Sequence, residues 1–219
     1  MKYTTIIFDC DGTLLDTLTD LKNAVNHVLA SHDFPVRSNA EVKRALGNGV
    51  EHLLRESLPT SVTENEIPPL LSEFKEYYGE HLQDFTSPYD GILNVLDALR
   101  AEGYKLAIVS NKIQEGVTPL AKNYFGDRLP VAIGERPNLQ RKPAPDMVLQ
   151  ALRELDSTQE ESVYIGDSEV DVATARNSKL ECIGVTWGFR EESLHQELGV
   201  KYIARKPADI LDIMKLLNQ

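Results

Sequence analysis

Apolar residues follow two rhythms along this chain. Short unbroken runs at 3–8, 106–109, 130–134, 163–166, 182–185 and 202–204 have no polar face, so they read as strands buried on both sides, as in a parallel sheet. Between them apolar positions recur every three or four residues: Ile92, Val95, Leu96 and Leu99, closed by Gly103; Val117, Leu120, Ala121 and Tyr124; Val148, Leu149, Leu152 and Leu155; and, after Pro207, Ile210, Ile213, Met214 and Leu217. These are helices packed by one face. Alternating strands and helices predict an α/β fold, a Rossmann-like doubly wound parallel sheet with helices on both faces.

A different pattern separates the first run from the rest. Thr17-Leu18-Thr19-Asp20 reads as a capping box, followed by Leu18, Leu21, Val25, Val28 and Leu29 at helical spacing. Ser38 to Glu41 opens a second helix that ends near Leu46. Gly47-Asn48-Gly49 is a turn. Val50, Leu53, Leu54 and Leu58 mark a third helix before Pro59, and Thr63 to Glu66 caps a fourth with Leu70, Leu71, Phe74, Tyr77, Tyr78 and Leu82 on its apolar face. These roughly 70 residues are far too many for a loop. We read 16–85 as a helical cap domain inserted into an α/β core of 1–15 and 86–219. The glycines around Asn48 are no dinucleotide fingerprint, because the third glycine is missing and a helix, not a strand, precedes them.

The 219 residues carry a formal net charge of −11 and two cysteines. Such a charge disfavours nucleic acid and anionic membranes as partners, and no run of lysine and arginine offsets it. No nucleic-acid or membrane partner is expected, and the chain is read as a monomer or homodimer. Cys10 and Cys182 make neither a disulfide framework nor a metal spacing and suit a cytoplasmic protein. No apolar run has membrane-spanning length, and the first residues lack the pattern of a signal peptide. An anionic substrate would need local positive charge.

Candidate chemistry sits at three strand ends: Asp9 and Asp11, Ser110 and Asn111, and Asp167 and Asp171, with Lys142 in a loop. In a doubly wound sheet these ends share one edge, where ligands bind. Residues two apart in an extended chain point the same way, so Asp9 and Asp11 start on one side and call for a cation between them, of which Mg²⁺ is the simplest. Each residue also fits a plainer part: Asp-x-Asp-Gly an ordinary turn, Ser110 and Asn111 a helix cap, Lys142 and Lys112 solvated lysines, Asp171 a first-turn helix acid. Brought together, the groups suit transfer of a phosphoryl group to a carboxylate and then to water.

Asp9-Cys10-Asp11-Gly12-Thr13, Ser110-Asn111, Lys142 in Lys-Pro-Ala-Pro, and Gly166 to Asp171 resemble, in order, the four motifs of the haloacid dehalogenase superfamily. The resemblance implies that Asp9 is the nucleophile and Asp11 the general acid and then base. It implies Mg²⁺ held by the Asp9 side chain, the Asp11 backbone carbonyl and Asp167, with Asp171 behind. Ser110, Asn111 and Lys142 would hold the phosphoryl oxygens, and Thr13 would serve the phosphate site by orienting Asp11.

An acid at Asp11 favours phosphate esters over halides, because a halide leaves without a proton. Ala45 to Val50 and Gly184 to Phe189 are similar to segments of phosphoglycolate phosphatases, which makes 2-phosphoglycolate the best single substrate. A phosphomutase of the β-phosphoglucomutase type and a pyrophosphatase are alternatives on the same scaffold. A phosphate-binding or phospho-accepting regulatory module is the non-enzyme alternative. One departure from the family is Ser178-Lys179-Leu180, where members often carry glycine at the helix end.

Overall fold

The computed structural model describes all residues, Met1–Gln219. By internal packing the chain divides into two compact units, one of residues 1–15 and 88–219, the other of residues 16–87.

The larger unit is built on a six-stranded parallel sheet. Its strands are β1 (Thr5–Phe8), β4 (Lys105–Ile113), β5 (Val131–Glu135), β6 (Ser162–Gly166), β7 (Glu181–Val185) and β8 (Tyr202–Ala204); β2 (Leu15–Asp16) and β3 (Ser87–Pro88) are two short strands where the chain passes to and from residues 16–87. The order is β5-β4-β1-β6-β7-β8. β1 is central, with Ile7 paired to Ala107 on one side and to Tyr164 on the other. The chain therefore reverses its direction of travel across the sheet at β1, the switch point of a doubly wound fold. The apolar runs that predicted strands lie in these strands because both faces are covered. Ile7, Ala107, Val109, Ile133 and Tyr164 pack on one face with Met147, Val148, Ala151 and Leu152 of the helix Asp146–Glu154.

The smaller unit is helical: α1 (Leu18–Ser31), α2 (Asn39–Ala45), α3 (Gly49–Ser57) and α4 (Ile67–His81). Ser38 and Glu41 form the expected capping box at α2, and Thr63 and Glu66 form theirs at a single 3₁₀ turn before α4. The box expected at Thr17 is absent: the Thr17 hydroxyl caps nothing. Asp20 is buried and serves a distant partner instead, accepting hydrogen bonds from the backbone N–H of Phe85 and Thr86 and from the Thr86 hydroxyl, at 2.7–3.1 Å. A carboxylate that can take three donors in the interior outcompetes a local cap on an open helix end. On α4, Leu70, Phe74, Tyr78 and Leu82 are buried, whereas Tyr77 stacks between His27 and His81 at ring distances of 4.0 and 4.2 Å.

Candidate active site

β1 ends at Phe8, and Asp9 follows it directly. The extended geometry stops there. The backbone N–H groups of Leu14 and Leu15 both turn back to the Cys10 carbonyl, and Gly12 takes φ +84°, a conformation that only glycine adopts without strain. A Cβ at Gly12 would lie 2.6–2.8 Å from the carboxylate atoms of Asp167. The turn directs the two carboxylates to different lysines. Asp11 pairs with Lys112, Nζ to Oδ1 at 3.3 Å, while Asp9 pairs with Lys142 at 2.7 Å.

Asp9 joins Asp167 and Asp171, whose carboxylate oxygens lie within 4.8 Å of one another, all three buried. Asp167 follows the end of β6, and Asp171 sits in the first turn of α8 (Glu169–Asn177). The Lys142 Nζ bridges the group, 2.7 Å from Asp9 Oδ1 and 2.8 Å from Asp171 Oδ1. Asp171 is fully committed: Oδ1 accepts from Lys142 and from the Tyr164 hydroxyl, and Oδ2 accepts from the Ser168 backbone N–H and hydroxyl. It is therefore both the helix acid of a capping box and the anchor of Lys142. Asp167 accepts from the Phe189 N–H at 2.7 Å and faces the Thr13 hydroxyl at 3.4 Å. Thr13 thus sits against Asp167, not Asp11.

The electrostatics follow from three buried acids and one ammonium. Burial, then the neighbouring Asp171, pushes Asp9 well above the ordinary carboxylate range, with Lys142 opposing. Burial and Asp171 likewise raise Asp167 to about 7. Burial works against the charge of Asp171, yet Lys142 and the Ser168 hydrogen bonds hold its pKa below normal. Burial also opposes the Lys142 ammonium, but Asp171 and Asp9 keep its pKa well above that of a free lysine. The cluster is short of positive charge, and its all-oxygen donors suit a hard divalent cation. The residues present therefore fit such an ion.

The second strand end lies in β4. Ser110 Oγ accepts the Lys112 N–H at 3.2 Å, which leaves its own hydroxyl hydrogen to donate elsewhere. Asn111 donates from Nδ2 to the Lys142 carbonyl at 3.0 Å and so ties the lysine's loop to this strand. Ser110, Asn111, Lys112 and Lys142 are all buried. That overturns the reading of Lys112 and Lys142 as solvated. Sequence reasoning missed Tyr164, which looks like any core residue of an apolar run, and, in the Gly184 to Phe189 segment it singled out, the part that Gly188 plays in the tight loop after β7. There a Cβ on Gly188 would lie 2.2 Å from the Gly12 carbonyl and 2.5 Å from Asp167. The glycine inside Trp187-Gly188-Phe189 was the available signal. In the same loop, Trp187 donates its indole N–H to the Thr13 carbonyl at 3.0 Å.

A parallel sheet reversing at β1, with this acid cluster at the ends of β1 and β6, is the arrangement of the haloacid dehalogenase-like hydrolases. Residues 6–185 match the model of that family, and the chain belongs to it. Among its relatives, the phosphoglycolate phosphatase of Agrobacterium fabrum (strain C58) is 31% identical over 189 residues, 84% of this chain and 81% of that protein. The N-acetylmuramic acid 6-phosphate phosphatase of Pseudomonas aeruginosa is 26% identical over 216 residues, 98% and 96% of the two chains. Among solved structures, a phosphoglycolate phosphatase-like protein from Lactobacillus delbrueckii subsp. bulgaricus superposes with a TM-score of 0.91 at 36% identity, covering 96% of this chain and 97% of that one.

Proposed function

We propose that the protein is a Mg²⁺-dependent phosphomonoesterase that works through an aspartyl-phosphate on Asp9, with 2-phosphoglycolate as the preferred ester. The observation that carries this reading is the buried cluster of Asp9, Asp167 and Asp171 bridged by Lys142 at the strand ends. Asp9, Asp167 and the Asp11 backbone carbonyl would hold the ion, with Asp171 behind. When bound, the ion supplies charge neutralisation for the phosphoryl oxygens and keeps Asp9 anionic.

The chain's own groups perform the rest. The Cys10 N–H and Lys142 both contact Asp9 Oδ1, which leaves Oδ2 to attack phosphorus. The Ser110 hydroxyl, the Asn111 backbone and Lys142 hold the phosphoryl oxygens. As the ester P–O bond breaks, its electron pair goes to the leaving oxygen, which takes a proton from Asp11. Asp11 then removes a proton from water; the resulting oxygen attacks phosphorus, the bond to Asp9 breaks, and inorganic phosphate leaves with the Asp9 carboxylate restored. In this reading the helical insertion has the part of a cap that selects the leaving group.

The likeness to the phosphoglycolate phosphatase of Agrobacterium fabrum and to the Lactobacillus structure supports 2-phosphoglycolate as the first ester to test; the likeness to the Pseudomonas aeruginosa phosphatase makes an amino-sugar 6-phosphate the second. The test is phosphate release from a panel that also holds pyrophosphate and hexose phosphates, with and without Mg²⁺. Release that needs Mg²⁺ and falls at least about 1,000-fold in Asp9→Asn is expected. Release that survives Asp9→Asn would overturn the nucleophile, and a hexose phosphate isomerised without phosphate release would make the protein a mutase.

A further inference from the structure

Lys112 has no part in the reaction just described, yet its side chain is 1% exposed. Burying an ammonium is costly unless a partner answers it. The Asp11 carboxylate is one such partner: its Oδ1 lies 3.3 Å from Lys112 Nζ, is buried, and receives no hydrogen bond.

The fold departs from regularity in three places to put Lys112 there. Between Val109↔Ile133 and Ile113↔Glu135 the register of β4 slips against β5, so four steps of one strand span two of the other. Such a bulge re-aims side chains, and the bond from the Lys112 N–H to Ser110 Oγ fixes this one. Gly116 lies within the helix α6 (Gln114–Leu120), where alanine would be the more stable choice. A Cβ at Gly116 would stand 3.1 Å from both Cγ and Cδ of Lys112. At Gly134 a Cβ would meet the backbone that leads from Lys112 into this helix, 2.7 Å from Gln114 Cα and 2.8 Å from the Gln114 N and the Lys112 carbonyl. A lysine that only filled space would need none of this.

We propose that Lys112 is a positioning residue, which holds the Asp11 carboxylate in the direction from which it serves first the ester oxygen and then water. This rests on the reading of Asp11 as acid and base. It carries a kinetic signature that a merely structural lysine would not. An alkyl ester needs its leaving oxygen protonated, whereas p-nitrophenolate leaves without help.

The experiment compares wild type, Lys112→Met and Gly116→Ala on an alkyl phosphate and on p-nitrophenyl phosphate, and solves the Lys112→Met structure without metal. In Lys112→Met, release of the leaving alcohol in the first turnover should slow on the order of 10- to 100-fold for the alkyl ester with KM little changed, while the first-turnover release of p-nitrophenolate should lose far less. The Asp11 carboxylate should leave its present direction in the structure. Gly116→Ala keeps the charge but crowds the lysine stem, and should show the same pattern more weakly at an unchanged or raised Tm; it carries the test if Lys112→Met does not fold. Equal first-turnover losses of the two leaving groups, or an unmoved Asp11 with unchanged rates, would overturn the proposal. If the wild type hydrolyses no ester, the phosphatase reading fails, and the direction of Asp11 in the variant structure decides the positioning role by itself.

Discussion

Lys179 ends α8 with φ +57°, the left-handed conformation in which a side chain on Cβ crowds the following carbonyl. Lys179 adopts the geometry without the residue suited to it. Lys179→Gly should therefore stabilise the protein by about 1 kcal/mol. A urea titration reads this as a higher midpoint at constant slope; a lower midpoint would show that the extra freedom of glycine in the unfolded chain outweighs the relieved strain. The residue scale is also where the sequence was least legible. Asp9, Asp167 and Lys142 stand out because acids or a lysine interrupt apolar runs or follow Gly and precede Pro. Lys112 does not stand out: a charge after a polar pair reads as solvated, and only the bulge in β4 and the empty space at Gly116 reveal otherwise.

Elements read far better than their ends. Each continuous apolar run became a strand, because a strand buried on both faces leaves no polar position to confuse the pattern. The short helix Glu192–Glu197 went unread, since its only buried side chain is His195 and six residues give no period. The box at Thr17 failed for a related reason: local spacing cannot announce a partner 65 residues away. Asp20→Ala would remove the acceptor that the buried Thr86 donors and the Phe85 N–H share, and should cost about 2–3 kcal/mol, measurable by thermal or urea unfolding. An Asp20→Ala protein as stable as wild type would make the three bonds mere decoration. On β7, burial and then Asp171 push the Cys182 thiol up from 9.0 to about 12. The sign follows: the unfolded chain loses this proton near pH 9 while the folded one retains it, so the contribution is intact below pH 9 and drains away as pH climbs toward about 12. Unfolding free energies of wild type and Cys182→Ala should diverge with a steeper alkaline loss in wild type. Parallel curves would show that the thiol ionises alike in both states.

For the whole molecule the ruling quantity is a net charge of −11. It repels the dianionic ester that the site is proposed to accept, and Lys142 acts only at close range. Raising ionic strength from about 0.01 to about 0.15 M shortens the screening length from about 30 to about 8 Å, so KM for a phosphate ester should fall over that interval. A KM that rises instead would mean that local cations steer the ester in. Class and fold were legible at this scale because they depend on the order of strands and helices, which survives errors of a few residues at every boundary.

β1 lies in the middle of the sheet, and both strands that flank it, β4 and β6, belong to chain made after residue 104. On a ribosome the segment bearing Asp9 is thus translated before both of its neighbours and seated late. It waits, apolar and without neighbours, while the whole inserted helical segment emerges, and its second edge stays open until Ser162–Gly166 is free of the exit tunnel. An apolar stretch with two open strand edges invites pairing with other chains while it waits, and a nascent chain halted before residue 162 cannot yet close the sheet around β1.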